Sequence, residues 1–397
     1  MQKNPLSIII LILASLSAFG PISIDMYLPA FSTIARELNV SASTVELSLA
    51  SFFIGLAVGQ IFYGPLADRY GRKKPLYFGL GLYIVASLIC LFTKNIEMLI
   101  IFRFFQALGS CSGMVISRAI VRDLFSYRDT ARVFSLLMLI MGVAPIVAPL
   151  VGGYITEYFG WRAVFGVMAL FSSASLAAIV RFLPETHQFD ARVRIQDSVK
   201  NYLTILRDRQ FLGYALSGGA AQAGLFAYIT GSSYVFIDIF GIAPRSFGWV
   251  FGINALGLIA ASQINSRLLR KYTSDFVLER IYVVVAFFAT ILALAGVLKW
   301  GFWGVFVPLF LFISSLGMTF PNSSAGAMAS QKKTAGSASA LLGTIQFSLA
   351  AAAAGIVSHL HDGTIRPMCF TIGTFGLAAF LVHRIMVKKE FMQLEGT

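Results

Sequence analysis

Charge is scarce in this sequence. Only 12% of its 397 residues are Asp, Glu, Lys or Arg, against about 25% in soluble domains. No stretch is long and polar enough to form a separate soluble domain. Cysteine is nearly absent. Cys90, Cys111 and Cys369 are odd in number, lie in apolar runs and lack metal-ligand spacing, so they read as inert buried thiols. The four histidines, His187, His359, His361 and His383, sit in links or near the ends of apolar runs and show no metalloenzyme spacing. No nucleophile–base pair, metal cluster or phosphate loop appears. An enzyme is therefore not expected, and no cofactor or metal is expected either.

What is present is apolar length. Hydrophobic residues make up 57% of the chain, in recurring runs of about 20, the length that crosses a ~30 Å hydrocarbon core. Twelve spans are predicted, giving an all-α polytopic membrane protein. The first six are 6–35, 44–65, 75–93, 97–119, 131–156 and 162–183. The second six are 211–235, 247–268, 276–298, 302–325, 336–358 and 367–387. The polar link 184–210 divides them, so residues 1–183 and 211–397 are expected as two six-helix halves. Its middle could be amphipathic. The N-terminus has the outline of a signal peptide, but its apolar run continues past residue 30; an uncleaved first helix is expected.

The net charge of +13 does not point to nucleic acid, because the cations lie in short links. With the N-terminus in the cytoplasm, 24 of the 31 Lys and Arg fall on the inner side. Six fall outside: Arg36, Lys94, Arg162, Arg245, Lys299 and Arg366. Arg103 remains within a span. This bias places both termini in the cytoplasm. Twelve spans speak against a seven-helix receptor, and the lack of a charge ring or re-entrant loop speaks against a channel.

Four motifs carry more. The second span ends in GPLADRYGRKKPL: Gly64 and Gly71 would allow tight packing and a sharp reversal, and Asp68 precedes Arg69, Arg72, Lys73 and Lys74. This resembles the loop signature of the major facilitator superfamily. Arg103-Phe104-Phe105-Gln106-Ala107-Leu108-Gly109 is similar to that family's fourth-helix RxxQG pattern, with its glycine displaced. Ala144-Pro145-x-x-Ala148-Pro149-x-x-Gly152-Gly153 is similar to the fifth-helix antiporter motif, with Ala before each proline where Gly is usual. Asp25-Met26-Tyr27-Leu28-Pro29 resembles the first helix of the Bcr/CflA (bicyclomycin/chloramphenicol resistance) branch of the 12-helix drug–proton antiporters. The second half carries only a degenerate echo of the loop motif, NSRLLRKY at 265–272.

The resemblance implies two pseudo-symmetric six-helix bundles with a midplane cavity between them, in a bacterial inner membrane. It also implies an intracellular latch built from Gly64, Asp68, Arg69, Gly71 and Arg72. Asp68 would face Thr334 to Gly336, and Arg72 would pair with Asp123. Single-chain operation is carried over from the family.

Asp25 is the only acid well inside an apolar run, and Arg103 the only such cation; Glu46 lies near a membrane face. By helix rise they sit about 15 Å and about 12 Å below the outer ends of their helices. Each costs roughly 2.5–3.5 kcal/mol at a helix centre, and such groups often mark a proton or substrate path. A carboxylate balanced between desolvation and a neighbouring guanidinium changes protonation when its surroundings change. Asp25 is expected to carry the proton, with Arg103 as its electrostatic partner; a fixed structural ion pair is the alternative. Each charge crossing 100 mV contributes about 2.3 kcal/mol. The residues do not give the sign of coupling; export follows from the resemblance.

Among the intramembrane polar residues, Tyr27, Tyr228, Asn254 and Gln346 are the expected substrate contacts. With few charges and many aromatics, the cavity suits a small amphipathic molecule, neutral or zwitterionic. The reading is a proton-coupled exporter of drug-like molecules. A dedicated exporter of one metabolite (a siderophore, amino acid or sugar) and an uptake symporter remain open, because fold does not fix function.

Overall fold

The computed structural model describes residues 6–125, 127–187, 189, 195–331 and 334–387. Within the polar link, residues 188 and 190–194 lie outside the described residues, as do both termini, 1–5 and 388–397. The described residues form helices and no strand. In lipid this is what the backbone requires, because a helix satisfies its own N–H and C=O groups.

In chain order the helices are α1 (Leu6–Asp25), α2 (Phe31–Glu37), α3 (Ala42–Tyr70), α4 (Lys73–Phe92), α5 (Ile96–Leu124), α6 (Tyr127–Phe159) and α7 (Trp161–Phe182). They continue with α8 (Ile195–Ile205), α9 (Arg209–Ser233), α10 (Pro244–Leu268), α11 (Ser274–Val297), α12 (Phe302–Ala329), α13 (Ala335–His359) and α14 (Arg366–Met386). With α1 and α2 taken as one apolar run, Ser7–Glu37, ten helices among the described residues are long and apolar enough to cross a membrane. α6 and α9, of 33 and 25 residues, occupy the expected fifth and seventh spans. α8 forms in the polar link.

Local chemistry sets the ends. Ser41, Asn95 and Thr273 cap α3, α5 and α11 by accepting from the N–H of Thr44, Met98 and Phe276. Pro367 sits in the first turn of α14, where its missing N–H costs nothing. α1 stops at Asp25 because Pro29 has no N–H to give the Asp25 carbonyl. The chain turns through Met26 and Tyr27, makes a 3₁₀ turn at Leu28–Ala30 and resumes as α2. α5 runs on to Leu124, past the expected end at 119. α9 leads into a π-helical turn at Tyr234–Ile239.

The chain groups into two compact units. One comprises Met1–Ser198 with Phe236–Gly252; the other comprises Val199–Val235 with Ile253–Thr397. In the first, α5 is central, packing on α3, α4 and α1, while α4 also packs on α7 and α1 on α6. In the second, α9 packs on α14, α13 and α12, and α11 joins α14 and α12.

Candidate functional site

Asp25 ends α1 and is 4% exposed. It makes no hydrogen bond or ion pair among the described residues. The loop that follows lies against α6: a side chain at Gly152 would collide with the Met26 carbonyl oxygen. The first-helix motif and the fifth-helix motif are therefore in direct contact, and Gly152 is glycine because a backbone occupies the space of its Cβ. Gly153 fits the same way against the Pro244 carbonyl, 2.7 Å from where its Cβ would stand. Pro145 and Pro149 lie inside α6, two turns and one turn before them.

The fixed Asp25–Arg103 ion pair, the alternative to the carrier reading, is not formed among the described residues. Arg103 is fully buried and donates instead to the Ser23 carbonyl at 2.9 Å and to Gln106 Oε1 at 2.5 Å. Its guanidinium lies over Phe52 at 4.2 Å and Tyr27 at 4.5 Å, with Phe165 at 6.0 Å. The cause is the end of α1. The last carbonyls of a helix lack intrahelical partners, and a cation there is favoured by the helix dipole. The polar chain continues from Gln106 Nε2 to Ser87 Oγ at 2.7 Å, while the Ser23 hydroxyl meets the Tyr83 hydroxyl at 2.6 Å.

Tyr27 belongs to this cage. It is fully buried, its hydroxyl is 2.8 Å from Ser48 Oγ, and its ring packs on Phe31 and Phe165. Its hydroxyl and its ring thus both have partners within the cage. Glu46, expected near a membrane face, is 1% exposed in the second turn of α3. Sequence position near a helix start gave no sign of that burial.

The loop motif forms a second cluster. Arg72 Nη1 donates to Asp68 Oδ1 at 2.6 Å and Nε to Asp123 Oδ2 at 2.8 Å. Thr186 donates to the same Asp123 oxygen at 3.0 Å. Glu185 accepts the backbone N–H groups of Arg72 and Lys73 at 2.8 and 3.1 Å, satisfying donors that the start of α4 leaves free. Gly71 has φ +87°, and a Cβ there would also stand 2.8 Å from the His187 carbonyl. Burial works against the charge of Arg72, but its bonds to Asp123 and Asp68 outweigh it and hold the guanidinium above its usual range. Arg69 lies by the Tyr70 ring. Gly64 does not fit the packing reason: nothing lies within 4 Å of where its Cβ would be.

In the second unit, Asn254 Nδ2 donates to the Tyr228 hydroxyl at 3.1 Å, both residues being buried. Asn254 Oδ1 has no partner. Gln346 is half-buried on α13 and makes no hydrogen bond among the described residues. Asp208 caps α9 through the N–H groups of Gln210 and Phe211 and also accepts from Ser330 and Gln331. Burial raises its carboxyl, but these donors prevail and hold it below the usual range. A cavity of about 570 Å³ between the nearby ends of α9, α11 and α12 is lined by Tyr214, Asp275 and Ser330; none of the expected substrate contacts lines it.

Comparison with known proteins fits this geometry. The family model described as Major Facilitator Superfamily matches residues 11–355. The chain is 38% identical to the MFS-type transporter YdgK of Bacillus subtilis over 377 residues, 93% of each chain. It is 32% identical to a bicyclomycin resistance protein homolog of Haemophilus influenzae over 392 residues, 98% of each. It is 28% identical to a chloramphenicol resistance protein of Pseudomonas aeruginosa, covering 96% of this chain and 92% of that one. Its fold is similar to the crystal structure of a D-xylose–proton symporter, with a TM-score of 0.73 at 15% identity over 96% of this chain and 98% of that one. With that family model over residues 11–355 and relatives of 38% and 32% identity matched over more than nine-tenths of their length, the chain belongs to the Major Facilitator Superfamily, in the branch of the bicyclomycin and chloramphenicol resistance proteins.

Proposed function

We propose that this protein exports small amphipathic, drug-like molecules in exchange for protons, by alternating access. The observation that carries the reading is Asp25. It is a buried carboxylate with no hydrogen bond or ion pair among the described residues, in a helix break that lies against the antiporter-motif glycine Gly152. A buried acid held in a fixed ion pair would be structural; one left without a partner can take up and give back a proton as its surroundings change. The names of the relatives support a drug as cargo.

In this scheme, cargo leaving on the outer side allows Asp25 to gain a proton, and cargo binding on the inner side favours its loss. Arg103 holds the α1 break in shape and so sets the field at Asp25. Arg72, Asp68 and Asp123, with Arg69 and Gly71, form a latch on the cytoplasmic side, with Asp68 meeting the start of α13 in one state. Tyr27, Tyr228, Asn254 and Gln346 contact cargo. Residues 1–183 and 211–397 act as the two moving bundles, joined by 184–210. Both termini are cytoplasmic, in a bacterial inner membrane, and one chain suffices. Neither a single-metabolite exporter nor an uptake symporter has comparable support.

Expression in a bacterial strain stripped of efflux pumps tests this. Resistance to several unrelated compounds should rise, and should not rise with Asp25→Asn. Resistance to one compound class alone would favour a dedicated exporter, and accumulation of compound inside the cells would favour uptake.

A further inference from the structure

The cavity between the ends of α9, α11 and α12 is set apart by its charge. The protein carries +13 overall, and the links on its expected inner side are basic. Yet this cavity of about 570 Å³ is lined by an acid, Asp275, and by no lysine or arginine. A second acid stands one bond behind the wall: Ser330, which lines the cavity, donates to Asp208 Oδ2 at 2.8 Å. Neither carboxylate makes an ion pair among the described residues. A helix start favours an acid, but it does not require a cavity beside that acid or a tyrosine fixed on it.

The Asp275 carboxylate is held in place. The Tyr214 hydroxyl donates to its Oδ1 at 2.6 Å. Tyr214 is itself 2% exposed. Its ring lies against the backbone of Gly326, where a Cβ would stand 2.6 Å from the ring edge, and the His383 ring is 6.0 Å away. One bond from a neutral hydroxyl leaves the charge of Asp275 uncompensated, and a carboxylate can accept about four such bonds. The two lining serines both donate their O–H groups elsewhere, Ser274 to Asn322 Oδ1 at 3.0 Å and Ser330 to Asp208. What remains to them is acceptor capacity.

A wall of acceptors and negative charge suits a group with only donors and positive charge. An alkylammonium is such a group, with three N–H donors and no acceptor. The volume is that of a site for a drug-sized molecule, far above that of a bare metal ion. No cluster of three metal-ligating side chains occurs among the described residues. We propose that this cavity binds the protonated amine of cargo and serves as its entry site on the cytoplasmic side. Asp275 pairs with the ammonium, Tyr214 positions Asp275, and Asp208 adds its field through Ser330. The inference rests on the exporter reading and gives its substrate class a charge: amphipathic amines, where composition alone pointed to neutral or zwitterionic molecules.

The test uses the full chain, in nanodiscs for binding and in proteoliposomes for transport. The probes are dansylcadaverine, a fluorescent amphipathic primary amine, and its N-acetyl derivative, which keeps the shape and loses the charge. The parent should bind the amine more tightly than the acetyl compound. Asp275→Asn should weaken binding of the amine by about tenfold or more and leave the acetyl compound within about twofold. Tyr214→Phe, which keeps the carboxylate but releases it, should lose part of the preference. Ala329→Trp, which puts a bulky ring at an exposed lining position, should weaken binding of both. Asp275→Asn should also raise KM for transport of the amine by a similar factor with kcat nearly unchanged. Equal losses for the two compounds, no preference in the parent, or an unchanged KM would overturn the proposal. Competition from phosphatidylethanolamine, absent in phosphatidylcholine alone and lost in Asp275→Asn, would keep the ammonium chemistry but overturn the role in cargo entry. Failure of the exporter reading would look different: the parent would bind dansylcadaverine through Asp275 and transport neither it nor any other compound. Melting temperatures separate lost binding from lost folding; if Asp275→Asn does not fold, Tyr214→Phe and Ala329→Trp decide.

Discussion

Arg103 donates to the backbone carbonyl of Ser23 at 2.9 Å, two residues before Asp25, and makes no bond to Asp25 itself. The one buried cation of the first spans thus holds the end of a helix, and the nearby acid is left free. Removing the guanidinium would strand the Ser23 carbonyl and Gln106 Oε1, each costing about 1–3 kcal/mol when buried without a partner. Arg103→Met should lower the melting temperature in detergent and reduce transport. Arg103→Lys, which keeps the charge but loses the fork over the Phe52 and Tyr27 rings, should fall between. A melting temperature unchanged by both would mean that the cage does not hold α1.

Two glycines from neighbouring motifs should behave oppositely. Gly152→Val places carbons where the Met26 carbonyl stands, so it should displace the α1 break and abolish transport. Gly64→Ala meets nothing within 4 Å and replaces a poor helix former within α3, so transport should stay close to that of the parent. Drug-resistance assays on both, corrected for protein amount by immunoblot, check the contrast.

The latch makes a similar division. Asp123→Asn weakens the bonds received from Arg72 and Thr186, and Arg72→Ala removes the group that joins Asp68 to Asp123. Both should slow the transport cycle by about tenfold or more, on the order of the 1.5–3 kcal/mol of a hydrogen bond to a charged group, with little change in drug binding. Equilibrium drug binding beside transport rate separates the two effects. Gly71→Ala should be harmful for another reason, because φ +87° strains any residue with a Cβ.

Most of the helical plan was legible, because apolar length in lipid is a strong signal and few motifs interrupt it. The Arg72–Asp123 pair was also legible, since both charges stand at helix ends where solvation is cheap. The partner of Arg103 was not. It is a carbonyl made available by the end of α1, and no residue type announces that. Helix membership and depth singled out Tyr27, but neither gives the direction in which a ring points, and its place beside the Arg103 guanidinium was not legible.

Asp208 gives the clearest dependence on pH outside the spans. Its carboxyl is held below the ordinary value of 3.8. Its contribution to stability is therefore present above that value and is lost as pH falls through the lower folded one. Asp208→Ala, which removes a helix cap, should cost about 1 kcal/mol. The difference in melting temperature from the parent should stay constant from neutral pH down to about pH 5 and shrink only in stronger acid. A difference that vanished already near pH 6 would contradict this assignment.

Proton release on adding drug to the purified protein, in weakly buffered detergent solution, tests the central claim most directly. The parent should release protons as drug binds, and Asp25→Asn should release none while keeping its fold and binding drug measurably. Equal release from the Asn variant, or no release from a parent that transports drug against a proton gradient, would remove Asp25 from the mechanism.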